Sequence, residues 1–285
     1  MNQLFNRILT TMFTVISTTL GLYAIEFAPA HFGPNANPVP VFADATIPAY
    51  TSLTLTADHF FGYGDRTLNG HLTIEVPFVA ERVSLKVWTP FAEAFEVSQN
   101  VYNQRDMQNG SRSGMLPIGD IYVQTRMSIL REKQYLPAIV LNATLKTAAV
   151  DNNLHRRYFD TPGYYFDVEI GKSFHFNSLI INELRLVADL GFICWETIGR
   201  QDDAPMYGGS VVLGNKWLSI ANTLAGYAGW MGNGDTPLVY TTQWVWKGSR
   251  ISYLVEYQYG IKDFPYHHIA AGVMLSIPAL TPSYK

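Results

Sequence analysis

The 285-residue sequence contains one cysteine, Cys194. No intramolecular disulfide can form from it, and no CxxC metal or redox motif exists. With no cysteine near the N-terminus, anchoring through a lipidated cysteine is also excluded, and a lone cysteine in an exported chain serves as a small apolar filler. Charge is scarce. Asp, Glu, Lys and Arg make up 15% of the residues, against about 25% in soluble globular proteins. The formal net charge is −3, so the basic stripe that nucleic-acid binding requires is missing. Long apolar runs are missing too. Beyond the N-terminus no stretch approaches the roughly 18 apolar residues of a membrane helix, and mean hydropathy is only +0.03. What is abundant is aromatic rings, at 14%. Few charges, many rings and no helical span suit strands that alternate apolar and polar residues. A transmembrane barrel has that composition, and so does a soluble β-sandwich.

Residues 1–24, MNQLFNRILTTMFTVISTTLGLYA, place Arg7 before an apolar, threonine-rich stretch that ends in small residues. This is the layout of a cleaved export signal; an ordinary buried or amphipathic first helix is the alternative. Ala24 has Leu22 three residues before the cut where a small residue is expected, and Ala28-Pro29-Ala30 fits the A-x-A pattern but holds a proline. Cleavage is therefore expected between 24 and 30. Residues 31–49, HFGPNANPVPVFADATIPA, carry four prolines and no periodicity. Proline fixes φ and removes a donor, so this is an extended lead-in, either a periplasmic tail or a plug folded back into a barrel. The tail is the simpler expectation.

From Tyr50 the pattern has period two, with turn signals at intervals. Leu53, Leu55, Ala57 and Phe61 oppose Ser52, Thr54, Thr56 and Asp58, and Leu72, Ile74, Val76 and Phe78 oppose His71, Thr73 and Glu75. Val83, Leu85, Val87 and Phe91 oppose Ser84, Lys86 and Trp88, and Ile139, Leu141, Ala143 and Leu145 oppose Val140, Asn142, Thr144 and Lys146. Like segments at 121–130, 164–172, 183–195, 206–214, 217–230, 238–247, 251–261 and 268–278 bring the total to twelve. The expected fold is an all-β, antiparallel, up-and-down transmembrane barrel over residues 50–285. Connectors sort by parity. Those near 80–82, 131–136, 175, 214–216 and 248–250 are short, whereas 62–70, 98–118, 150–162, 197–205, 231–237 and 261–267 are longer and rich in Gly, Asn, Asp and Pro. Short periplasmic turns and longer external loops are what an even-stranded outer-membrane barrel requires. Phe60, Phe61, Tyr63, Tyr164, Tyr165, Phe166, Trp195, Trp230, Tyr257 and Tyr259 gather near one set of strand ends, with Phe78, Tyr135, Phe174, Trp217 and Trp246 near the other. Two such bands are expected to form interfacial girdles.

If the apolar faces meet lipid, Asp58, Glu75, Lys86, Arg126, Lys146, Asp167, Glu169, Arg185, Asp189 and Glu256 line the lumen. Both signs occur, with acids in excess. That suits a polar passage with a mild preference for cations or small polar solutes. It also suits a filled interior whose charges neutralise one another, since a twelve-strand lumen lies between packed small barrels and open porins. No catalytic residue, metal site or cofactor is assigned. His59 is expected to face lipid while Asp58 faces inward, His267 and His268 point to opposite faces, and His155 has no ligand-spaced neighbour. GxSxG, HExxH and P-loop motifs are absent. The acidic loop clusters Asp202-Asp203 and Gly232–Asp235 suit a surface cation such as calcium, but turn chemistry explains them as well; the long loop 98–118, with Arg105, Asp106 and Arg112, either folds inward as a constriction or faces outward as a binding surface.

Several segments together, HFGPNANPVP (31–40), GDIYVQTRMSILREKQYLP (119–137), YFDTPGYYFDVEIGKS (158–173), FICWET (192–197), GRQDDAPMYG (199–208) and YQYGIKDFPYHH (257–268), resemble an uncharacterised family of outer-membrane β-barrel proteins from Bacteroidota. The resemblance runs from about residue 31 to the end. It implies export, an outer-membrane location with lipid and lipopolysaccharide as surroundings, and a barrel fold. It supplies no substrate or catalytic residue. One departure is the C-terminus, where Tyr284 is followed by Lys285 in place of a terminal aromatic. The expectation is a monomeric or weakly oligomeric, porin-like passage; the alternatives are a non-conducting structural or adhesion barrel, or a membrane hydrolase.

Overall fold

The computed structural model describes residues 29–79, 81–107, 110–150, 155–178, 181–197 and 200–282. The expected signal segment and its cleavage position lie almost entirely outside the described residues. Strands run β1 Thr51–Phe61, β2 Asp65–Val79, β3 Val83–Val97, β4 Ser113–Leu116, β5 Tyr122–Leu130, β6 Ala138–Lys146 and β7 Gly163–His175. They continue with β8 Glu183–Thr197, β9 Arg200–Gly214, β10 Leu218–Tyr227, β11 Leu238–Trp246, β12 Ile251–Lys262 and β13 His267–Ile277. Leaving the short β4 aside, every strand pairs antiparallel with two neighbours, and β1 closes on β13, giving a closed twelve-strand barrel. β4 lies outside the cycle, paired only with the end of β3.

The alternation read from the sequence is what closes it. Leu145 is 60% exposed on the outside, while Thr144 and Lys146 on either side are 0% and 2% exposed. The same inversion recurs around the wall, with Leu55, Leu68, Phe166 and Leu190 outward and Asp58, Asn69, Asp167 and Asp189 buried inward. A barrel with an apolar outside and charged inside is stable only with its outside in hydrocarbon, where a closed ladder leaves no unpaired edge. No helix among the described residues is long and apolar enough to cross a membrane.

Thr51 pairs with Ile277, so the start of β1 and the end of β13 share one end, called here the near end. The near-end turns are all brief. The far end departs from expectation. Residues 62–70 are not a loop: β2 begins at Asp65, leaving a turn of Gly62, Tyr63 and Gly64, all at positive φ. The described part of 197–205 is likewise strand, because β8 runs to Thr197 and β9 begins at Arg200. In 62–70 Asp65 and Asn69 read as turn formers, but a polar lumen accepts both on inward positions, so they do not end the strand. The sorting of connector lengths by parity therefore holds for 98–121, 147–162 and 228–237 only. The first of these carries a helix, α1 Gln99–Gln104, capped by the Ser98 hydroxyl accepting from the Val101 N–H, as well as β4.

The proline-rich segment is not a tail outside the barrel. Its described part begins at the far end, where the Gly33 N–H donates to the Arg157 carbonyl. It then descends the lumen to join β1 at the near end. Phe32, Ala36, Val39 and Ala45 are all buried. The wall is cut to receive it: a Cβ on Gly208 would fall 2.1 Å from the Phe42 ring, and one on Gly171 would fall 2.9 Å from Ala45 Cβ. Four prolines keep the strand-free segment extended; the Ala43 and Ala45 N–H groups find a partner on the wall and Gly33 N–H one in a loop.

Candidate functional site: the lumen and its mouth

At the far end the loops are fastened by buried charges. Arg157, from the connector 147–162, donates to Asp65 and Glu93, each at 2.6 Å, and to the Thr67 hydroxyl. Arg105, just after α1, donates to Asp65 at 2.7 Å, to the Tyr266 hydroxyl at 2.9 Å and to the His31 carbonyl at 2.6 Å. Glu93 also accepts from the Tyr158 hydroxyl and from Asn35 Nδ2, each at 2.7 Å. Three loops, two wall strands and the lumen segment thus meet in one network of matched charge. Lys146, at the far end of β6, ties two loops by bonding Asp120 at 2.6 Å and the Thr161 carbonyl at 3.0 Å. Burial pushes the Asp120 carboxyl above its ordinary range despite that ammonium. Burial, then the charges of Arg105 and Arg156, push the His31 imidazole down to about 4.

Beneath the mouth, Phe60, Tyr122, Tyr165, Trp195, Tyr227, Phe264 and Tyr266 pack with Val39 into one buried aromatic layer. The outer girdle expected from strand position includes Trp195, Tyr165 and Phe60, and the structure turns these three inward. Girdle residues such as Phe166, Trp230, Tyr259, Phe78, Tyr135, Trp217 and Trp246 are exposed. Position along the strand is right for all of these; parity within the strand separates them.

The middle of the lumen holds most of the expected lining residues. Arg126 reaches Glu75 at 3.0 Å, Glu169 at 3.2 Å and Asn142 at 3.3 Å. Asn142 donates to Asp167 at 2.6 Å and to Glu169 at 3.0 Å. Glu169 accepts from the Ala43 and Ala45 N–H groups at 2.8 and 2.9 Å, which pins the segment to the wall. Lys86 lies directly across from Glu75, half-buried, its ammonium 5.1 Å from the Trp88 ring. Asp189 is buried across from Glu169. Nearer the other end Arg185 bonds the Asp44 carbonyl and Ser173 Oγ, each at 2.7 Å, as well as Glu132. On the opposite wall Asp58 sits 3.3 Å from His268 and 3.7 Å from His71, and Glu256 lies 3.7 Å from His268. Glu256 also accepts from Gln243 at 2.8 Å.

Sequence reasoning misses Asp65, Glu93 and Arg157, and leaves the direction of the Arg105 loop open. Asp65 falls in a stretch that reads as loop. Glu93 has the parity of an outward residue until the register shifts opposite Gly70–His71, where Phe91 is skipped and Glu93, Phe95 and Val97 turn in. Pro90 inside the strand is the signal that marks such a bulge. The arginines come from loops, where no periodicity reports direction.

A cavity of about 560 Å³ remains between the segment and the wall formed by β1–β3 and β11–β13. Its sides carry Thr54, Thr56, His71, Glu75, Lys86, Glu256 and Gln258. At the near end it is bordered by Ala49 and Tyr50, which are exposed; at the far end it stops under Trp195, Tyr158 and Phe264, which are buried. His71 and His268 border it, and each ring faces the Asp58 carboxylate, with no hydroxyl or thiol bonded to either ring among the described residues. No set of three or more His, Cys, Asp or Glu is placed to hold a metal ion among the described residues.

Comparison with solved structures bears on the fold. The NanC porin matches with a TM-score of 0.53 at 9% identity, over 79% of this chain and all of that one. An outer-membrane channel from Pseudomonas putida F1 matches with a TM-score of 0.53 at 10% identity, over 84% of this chain and all of that one. At such identity the likeness establishes a shared barrel architecture. No protein-family model matches the sequence, and no curated protein sequence matches it.

Proposed function

We propose that this chain is an outer-membrane barrel with a porin-like role, whose passage for small polar solutes or ions is closed at rest by its own residues 31–47. The observation that carries this is the pair of segment N–H groups bonded to the Glu169 carboxylate deep in the lumen. A segment held by a few side chains on the wall can leave without breaking the barrel ladder. A barrel whose own strands filled the lumen could not open in that way. The cavity along β1–β3 and β11–β13 supplies the polar lining, and acids outnumber bases among the inward residues, so cations should pass more readily. The NanC porin and the Pseudomonas channel share the architecture, and lend the channel reading an analogy of fold.

The test is planar-bilayer conductance of the refolded full chain beside a variant lacking residues 31–47. The full chain should be silent or open rarely, and the deletion should give stable current steps with a cation bias under a salt gradient. A second reading, a non-conducting structural or adhesion barrel, is favoured by the density of buried charge pairs at the mouth. Silence of a deletion variant that keeps its heat-modifiable mobility would establish that second reading.

A further inference from the structure

The outward face of the barrel is apolar around nearly its whole circumference, apart from single hydroxyls such as Thr125 and Thr242 and one carboxamide. Asn222 occupies the middle of β10, paired with Val211 on β9 and Thr242 on β11. Its neighbours Ala221 and Thr223 have inward parity, and Thr223 bonds the buried Ser210, so the Asn222 side chain lies on the outside. Trp217 precedes it at the near-end girdle and Trp230 follows at the far end, both exposed. Asn222 therefore sits between the two interfacial bands, at the depth of hydrocarbon. Among the described residues no other carboxamide or charged side chain points outward from the middle of a strand.

The carboxamide is only half-satisfied. Its oxygen accepts from the Tyr240 hydroxyl at 2.7 Å, while its NH₂ donates to nothing among the described residues. An amide donor facing lipid tails has no water to turn to, and leaving it unmade costs more there than at an aqueous surface. Next to it the surface is recessed. Ala188 and Gly209 pair directly on the outer face, and a Cβ on Gly209 would meet nothing nearer than 3.9 Å. Exposed Tyr207, Val211, Leu224 and Trp244 frame the recess.

We infer that the outer face of β9–β11, centred on Asn222, is the contact surface for a second copy of this chain within the membrane. A carboxamide is both donor and acceptor, so the patch complements itself across a two-fold axis, as an isologous contact requires. Small residues beside a polar group are the combination that lets membrane-embedded surfaces approach and hydrogen-bond. The contact lies on the outside of the barrel and does not depend on whether the lumen conducts.

The decisive measurement is disulfide capture of Asn222→Cys in native-like bilayers, beside Leu141→Cys on the outer face of β6. The one natural cysteine, Cys194, is buried, so it gives no background. The Asn222→Cys chain should cross-link to a dimer, and the Leu141→Cys chain should not. In parallel, Asn222→Leu should keep the heat-modifiable barrel while weakening dimerisation roughly three- to thirtyfold, the range that membrane hydrogen bonds give. Equal capture of the two cysteine variants would overturn the inference. So would a dimer unaffected by Asn222→Leu, or a wild-type chain that is monomeric in lipid nanodiscs.

Discussion

Arg157→Ala cuts the centre of the mouth network. The wild-type guanidinium is fully buried and satisfies two carboxylates and a hydroxyl at once. Removing one partner of a buried ion pair typically costs about 3–5 kcal/mol, because the other charge is left without compensation. Here neither acid is wholly abandoned. Asp65 keeps Arg105 at 2.7 Å, and Glu93 keeps Tyr158 and Asn35. The expected loss is thus near the lower limit, about 3 kcal/mol, and it falls on the docking of the loop and not on the barrel ladder. Such a loss raises the open fraction of the mouth roughly a hundredfold. Amide hydrogen exchange reads it directly: protection at Gly33, whose N–H donates to the Arg157 carbonyl, and along 155–162 should fall by about that factor. Protection in the β5–β7 ladder should not move. Arg157→Lys, which keeps charge but loses the forked geometry, should fall between. Unchanged protection at Gly33 in Arg157→Ala would refute the idea that this network fastens segment and loop together.

Leu141→Arg, at the centre of the lipid face of β6, should cost about 2–4 kcal/mol near the bilayer midplane in a reversible folding assay, and full tolerance would mean that the faces are reversed. Gly208→Leu should drive the Phe42 ring out of its notch and increase both hydrogen exchange at residues 42–45 and channel opening; an electrically silent variant with unchanged exchange would contradict the fit of segment to wall. Acid should loosen the mouth through His31. Its folded value of about 4 lies below its ordinary 6.5, so the unfolded or released segment binds the extra proton, and stability is lost as pH falls through that window. Opening should therefore rise from pH 6.5 toward 4, and His31→Asn should flatten that part of the profile.

How much is legible beforehand follows from which contacts are periodic. The faces of β1, β6, β7 and β8 are readable because each residue's direction is set by parity, and the apolar set Ile139, Leu141, Ala143 and Leu145 admits one register only. The ten lining candidates are found on inward positions for the same reason. The residues missed or left without a direction are those that parity does not govern. Glu93 follows a bulge, Asp65 sits where turn-forming residues continue a strand, and Arg105 and Arg157 reach the lumen from loops. Trp195 and Phe166, both near the far end of their strands, differ only in face: one packs in the aromatic layer and the other meets the interface.

The sequence by itself pointed to an antiparallel barrel of about twelve strands, because a chain that alternates with period two must close on itself if it is to leave no unpaired backbone in lipid. It also determined that the interior is charged. Where residues 31–49 lie was decided only by the tertiary structure. Residues 31–49 have no periodicity that assigns them a face, and nothing local distinguishes a proline-rich tail from a proline-rich plug. Their place depends on partners more than a hundred residues away, Glu169 for Ala43 and Ala45 and Arg157 for Gly33. Glycines at 171 and 208 make room for them. Those partners come together only when the barrel has closed.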